Sequence, residues 1–200
     1  MAILKLYGSA RTTSTRRVAT VPFELVEVDI RNGEHKTPAY LERQPFGLIP
    51  YIVRLYYIHC GCAICRYIAA KYPGCRLVPT GLQENALFEQ AASVELTSFD
   101  HGRMGDSCEG VRVPRLRLGL KTDQAVVDQE IATLDKKLAA YDVILGKRKY
   151  LAGDELTLAD LFHLPDVMTR RRNVARWYSE LISRPSWRTF EYGVKTTLEH

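Results

Sequence analysis

A chain of 200 residues with 46% hydrophobic and 26% charged side chains makes one large domain or two small ones, and excludes disorder and fibrous repeats. No apolar run approaches the about 18 residues of a membrane span. All of the net charge of +5 falls on residues 1–75, with ten Lys and Arg against five Asp and Glu, whereas residues 76–200 carry eighteen of each. That asymmetry favours an anionic small ligand on the front half. It does not point to nucleic acid: the basic residues are scattered, without a zinc-finger, helix-turn-helix or RNP pattern. The opening run Met1 to Gly8 is too quickly punctuated for a secretory signal. A cytoplasmic location is therefore expected, with Cys60, Cys62, Cys65, Cys75 and Cys108 as reduced thiols.

Residues 2–7 form a short apolar run stopped by Gly8 and read as a strand. Residues 12–21 read as a short helix with hydroxyls at its start, running straight into Pro22. Phe23-Glu24-Leu25-Val26-Glu27-Val28-Asp29 alternates with the period of a second strand. Strand, helix and strand in this order make a βαβ unit, whose strands are parallel. Residues 37–43 come next as a short helix, 45–50 as a loop, and 51–59 as a β-rich hairpin without the Gly, Asn or Asp of a tight turn. Residues 63–71 read as a helix stopped by Pro73-Gly74. Beyond a loop at 73–83 the pattern is helical: 84–99, 122–145, a helix opened by the box Thr157 to Asp160, and 173–183. In the second of these, Val127, Ile131, Leu134, Leu138, Tyr141 and Leu145 lie on one stripe. The fold class is α/β plus all-α.

Several of these segments carry a family pattern. Gly33-Glu34-His35-Lys36, Pro38 and Gln44-Pro45-Phe46-Gly47-Leu48-Ile49-Pro50 resemble the front half of a glutathione transferase, nearest the phi class and its fungal members. Residues 63–69 resemble that family's third helix, and Tyr150 to Asp154 with Thr157 to Leu161 its helical-domain capping motif. The resemblance implies a thioredoxin-like, glutathione-binding domain at 1–75 and a linker at 76–83. An α-helical domain at 84–200 would then hold a pocket for hydrophobic electrophiles. It also implies a homodimer, with glutathione as co-substrate and no metal. The Ile49-Pro50 bond is expected to be cis, turning its backbone toward the cysteinyl group of glutathione. His35 and Lys36 are expected to meet the glycyl carboxylate, because a carboxylate needs donors and positive charge. Leu48, Ile49, Pro50, Cys60 and Gly61 complete the expected glutathione-binding set.

The chemistry needs a thiolate, and a free thiol near pKa 8.5 is only a few per cent ionised at neutral pH. The phi pattern after the first strand places a Ser hydroxyl as the thiolate's donor; Gly8-Ser9-Ala10-Arg11-Thr12 puts Thr12 in that role, with Thr13 and Ser14 adjacent. Hydroxyls here also suit plain helix capping. The family's Glu-Ser pair, which holds the γ-glutamyl ammonium and carboxylate, is replaced by Cys60-Gly61. That replacement leaves the ammonium without an anion and predicts weakened binding. His59, Cys60, Cys62 and Cys65 also suit a metal, against the simpler alternative of small thiols packed in a helix. Residues 100–118 and 166–172 are irregular or short for the family. The chain thus admits two functions: conjugation of the glutathione thiolate to hydrophobic electrophiles, or non-catalytic binding of hydrophobic ligands on the same fold.

Overall fold

Apolar alternation in the first sixty residues builds a sheet, seen in a computed structural model that describes residues 4–10, 12–18, 23–53, 57–99, 124–164, 171–188 and 193–194. The chain divides into two compact units. One takes in the chain up to Val78, Leu164, and the chain from Leu181 on; the other runs from Pro79 to His163 and includes the segment ending at Glu180.

In the first unit, β1 (Leu4–Gly8), α1 (Thr13–Val18) and β2 (Phe23–Glu27) form the expected βαβ element, with parallel strands registered from Leu4 on Phe23 to Gly8 on Glu27. A 3-10 turn at Glu34–Lys36 and α2 (Pro38–Leu41) lead to β3 (Tyr51–Val53) and β4 (Tyr57–His59), an antiparallel hairpin. The sheet order is β2-β1-β3-β4, a thioredoxin-like arrangement. The strand period splits β1 between two faces, Leu4 and Leu6 on one and Lys5 and Tyr7 on the other. Tyr7 stacks on Tyr51 at 4.6 Å, and Tyr40 of α2 meets Tyr51 edge-on at 5.4 Å. The helix α3 (Gly61–Lys71) packs on α1, β3 and β4. It begins two residues earlier than its apolar period predicts, because Cys60, at φ 74°, turns the chain directly from β4 into the helix. The short helix α8 (Pro185–Arg188) belongs to this unit, and Arg16 lies 4.8 Å from the centre of its Trp187 ring.

The second unit is helical. It comprises α4 (Leu82–Val94), which continues into a π turn at Glu95–Phe99, then α5 (Gln124–Leu145), α6 (Leu158–Leu161) and α7 (Arg172–Ile182) as far as Glu180. The predicted stripe of α5 is buried at Leu138, Tyr141 and Leu145, but Ile131 on the same stripe is 60% exposed. Periodicity fixes a common face, not how far neighbours extend along it. The box before α6 closes through Asp160, whose carboxylate accepts from the Thr157 N–H and hydroxyl, the Leu151 N–H and the Trp177 indole N–H. Phe99 is buried, 4.6 Å from the His163 ring. Pro22, Met104, Cys108, residues 100–118 and 165–170 lie outside the described residues.

Candidate functional site

One edge of the sheet gathers the candidate residues of the first unit. Tyr7 is registered on Tyr51 and Tyr51 on His59, so Gly8, Pro50 and Cys60, each one step beyond, lie along the same edge. A Cβ on Gly8 would fall 2.5 Å from Thr15 Oγ1 and 3.3 Å from the Pro50 Cβ. Only glycine admits the approach of α1 and the Ile49-Pro50 bond, which is cis as expected. Just beyond β1, the Thr12 hydroxyl lies 2.8 Å from that of Thr15 and donates to the Ser9 carbonyl at 3.0 Å. Thr15 is fully buried, and when it donates to Thr12 the Thr12 proton is directed outward, to Ser9 O or to a ligand. The Thr12–Thr15 pair is invisible to a motif reading; its signal is two hydroxyls three residues apart on one helical face. Glu27 is a second unpredicted neighbour, accepting from the Ser9 hydroxyl at 2.7 Å and the Ala10 N–H at 2.9 Å.

His35 and Lys36 close the 3-10 turn. The Lys36 ammonium donates to the Gly47 carbonyl at 2.8 Å and the Phe46 carbonyl at 3.4 Å. Tyr40 donates to the Leu48 carbonyl at 2.8 Å, and burial pushes its hydroxyl pKa well up. The loop before Ile49-Pro50 is thereby pinned from two sides. Gly47, at φ +59°, is required there: a Cβ would come within 2.8 Å of both the His35 carbonyl and the Lys36 ammonium.

At the start of α3 the structure changes the expected electrostatics. Cys60 is exposed, and its thiol pKa is drawn down to about 5, first by a hydrogen bond from the Cys62 thiol, then by the Ala63 and Cys62 N–H groups and the nearby His59. These donors favour the anion at position 60, a bias that residue type alone does not predict. The same amides that hold this thiolate are those at the helix start that would otherwise meet a carboxylate. A Cβ on Gly61 would meet nothing closer than the Ser14 carbonyl at 3.9 Å, so the space beside it is open. Cys65 turns inward, donates to the Arg17 carbonyl at 3.6 Å, and has its thiol pushed up to about 12 by burial. Cys65 thus turns away from the other thiols of this segment, and among the described residues no group of three or more His, Cys, Asp or Glu could hold a metal ion.

The helical unit has a cavity of about 270 Å³ lined by Leu87, Ala91, Val94, Ile144, Lys147 and Arg148, among others. Among the described residues, no helix is long and apolar enough to cross a membrane.

Comparison with known proteins agrees with this geometry. Residues 111–167 match the family described as glutathione S-transferase, C-terminal domain. The chain is 44% identical to glutathione S-transferase PM239X14 of Arabidopsis thaliana, over 82% of this chain and 80% of that one. It is 37% identical to glutathione S-transferase hmp2 of Hypomyces subiculosus, over 92% of this chain and 96% of the relative. The chain belongs to the glutathione S-transferase family. Glutathione transferase F7 of Populus trichocarpa superposes with a TM-score of 0.85 at 34% identity, over 94% of this chain and 97% of that one. Glutathione S-transferase I from maize, in complex with an atrazine glutathione conjugate, does so at 0.83 and 33%, over 95% and 97%. The alignment to the fungal transferase runs over 204 positions while using 92% of this 200-residue chain. This glutathione S-transferase therefore lacks positions that its relative has.

Proposed function

We propose that this family member conjugates the glutathione thiolate to hydrophobic electrophiles, with glutathione held on the first unit and Thr12 as the thiolate's donor. The observation that carries the reading is the meeting of Thr12, the cis Ile49-Pro50 bond and the start of α3 along one sheet edge. Thr15 donates to Thr12, and Thr12 to the glutathione sulfur, favouring the anion by about 1.5–3 kcal/mol. The backbone of Ile49 meets the cysteinyl amide, with Leu48 and Pro50 beside it, and Lys36 with His35 meets the glycyl carboxylate. The ammonium of the γ-glutamyl group pairs with the Cys60 thiolate, and its carboxylate lies against the open space at Gly61. The reading extends to residues 1–75 as the glutathione-binding domain, 76–83 as linker and 84–200 as the helical domain that receives the electrophile. A homodimer in the cytoplasm, without metal, completes it.

Thr12→Ala tests it. Turnover toward an aromatic halide should fall tenfold or more while glutathione affinity, read by titration calorimetry, changes less than threefold, because the hydroxyl acts on the thiolate rather than on binding. Equal losses in both would remove Thr12 from the donor role.

The cavity of the helical unit favours a second reading, non-catalytic carriage of amphipathic anions, since apolar walls meet two cations there. An anionic apolar dye that binds with the same affinity in saturating glutathione, in protein without conjugating activity, would favour it.

A further inference from the structure

Glu27 closes β2, and the parallel register sets it beside Gly8, the last residue of β1. From there its side chain reaches the turn that carries the chain from β1 into α1. One carboxylate oxygen accepts from the Ser9 hydroxyl at 2.7 Å, the other from the Ala10 N–H at 2.9 Å. Both bonds are charge-assisted, the stronger kind. The Ala10 N–H shares a peptide plane with the Ser9 carbonyl, and in a trans peptide the two groups point opposite ways. That carbonyl accepts from the Thr12 N–H at 3.1 Å and from the Thr12 hydroxyl at 3.0 Å. One peptide plane is thus gripped by Glu27 on one side and bears Thr12 on the other. The next carbonyl, that of Ala10, accepts from the N–H of the buried Val194 at 2.8 Å. A flip of the Ser9–Ala10 plane would break bonds on both of its sides.

We infer that Glu27 is a positioning residue for the transferase: through the Ser9–Ala10 peptide it sets where the Thr12 hydroxyl stands toward the glutathione sulfur, which rests on the site proposed above. With the site empty, the Thr12 proton lies on the Ser9 carbonyl. When glutathione binds, the hydroxyl turns to the sulfur. The Thr12 N–H stays on the same carbonyl and keeps the residue in place. Without the grip of Glu27 the plane moves, and a displaced donor forfeits a hydrogen bond that depends on distance and angle. The charge of Glu27 acts in the opposite direction. A carboxylate near the sulfur disfavours the thiolate, so removing Glu27 would favour the anion if charge were its whole effect. Position and charge therefore predict shifts of opposite sign.

Ultraviolet titration of the thiolate of bound glutathione tests this on the full chain, in Thr12→Ala, Glu27→Ala, Glu27→Gln and the double alanine variant. Thr12→Ala should raise the thiol pKa by about one to two units, the worth of one hydrogen bond to an anion. Glu27→Ala should raise it by roughly half a unit to one unit, because the donor is loosened and not removed. Glu27→Gln should stay within about 0.3 unit of the wild type, since its amide can accept from the Ala10 N–H and donate to the Ser9 hydroxyl oxygen. The double variant should match Thr12→Ala within about 0.3 unit, because both changes act through one hydroxyl. Affinity for S-methylglutathione, which has no thiol to ionise, should change less than about twofold in every variant. The inference alone is overturned if Glu27→Ala leaves the thiol pKa unchanged or lowers it, or if its shift adds in full to that of Thr12→Ala. It is also overturned if Glu27→Gln is as impaired as Glu27→Ala, or if S-methylglutathione affinity falls in step with the thiol shift. Thr12→Ala without effect on the thiol removes the donor reading itself, and the positioning role falls with it.

Discussion

At position 60 a cysteine can stand in for a carboxylate, because the helix start supplies what a thiol lacks. An ordinary thiol is neutral at pH 7, but three donors, the Cys62 thiol and the amides of Cys62 and Ala63, draw the Cys60 thiol toward its anion. On this reading, proposed above, the loss of the family's Glu removes shape and reach while the helix start favours a charge in its place. Cys60→Ser keeps the size and removes the anion, so it should weaken glutathione binding about tenfold, the worth of one charge-assisted bond. Cys60→Glu should stay within about threefold of the wild type. Adding Gly61→Ser fills open space beside Ser14, supplies a hydroxyl, and should tighten binding about fivefold. Titration calorimetry reads all three. Unchanged affinity in Cys60→Ser would place the γ-glutamyl ammonium away from α3.

At the scale of elements, the sequence is legible wherever a period or a motif dictates the backbone. The alternation at Phe23–Glu27 marks β2 and its parallel pairing, and the segment ending Leu48-Ile49-Pro50 marks the cis bond. The start of α3 is not legible, since nothing in the residue type of Cys60 announces a left-handed backbone; nor is its charge, which depends on amides two and three residues on. Within α3, burial divides two neighbouring thiols. Cys65, with its thiol pushed up to about 12, is neutral when folded and ionises near 8.5 when unfolded. A raised folded value means that its contribution is fully present below about pH 8.5 and is lost as pH rises toward 12. Between pH 9 and 11 the wild type should lose about 1.4 kcal/mol per pH unit more than Cys65→Ala, measured by urea unfolding. In the helical unit, the motif alone makes Asp160 a cap worth about 1 kcal/mol, but it also holds the Leu151 amide and the Trp177 indole. Asp160→Ala leaves those buried donors unmet at about 1–3 kcal/mol each, and should lower stability by more than about 3 kcal/mol in the same assay.

For the whole molecule, the question is what covers its exposed apolar residues. Phe46 and Leu48 are 67% and 59% exposed, on a loop that Lys36 and Tyr40 fasten through the carbonyls of residues 46, 47 and 48. The Phe46 ring also rests edge-on against His59, centres 5.6 Å apart. Apolar side chains on a fastened loop lose little freedom when a partner covers them, which is the economy an interface needs. A twofold dimer counts each such contact twice, and covering one Phe contributes about 1.5–3 kcal/mol. Phe46→Ser should therefore cost the dimer at least about 3 kcal/mol, more than a hundredfold in its dissociation constant. Light scattering at micromolar concentration should find the wild type dimeric and Phe46→Ser monomeric, with the far-ultraviolet circular dichroism of both alike. A dimer equally tight in the variant would move the interface off this loop, and a monomeric wild type would leave Phe46 and Leu48 to some other partner.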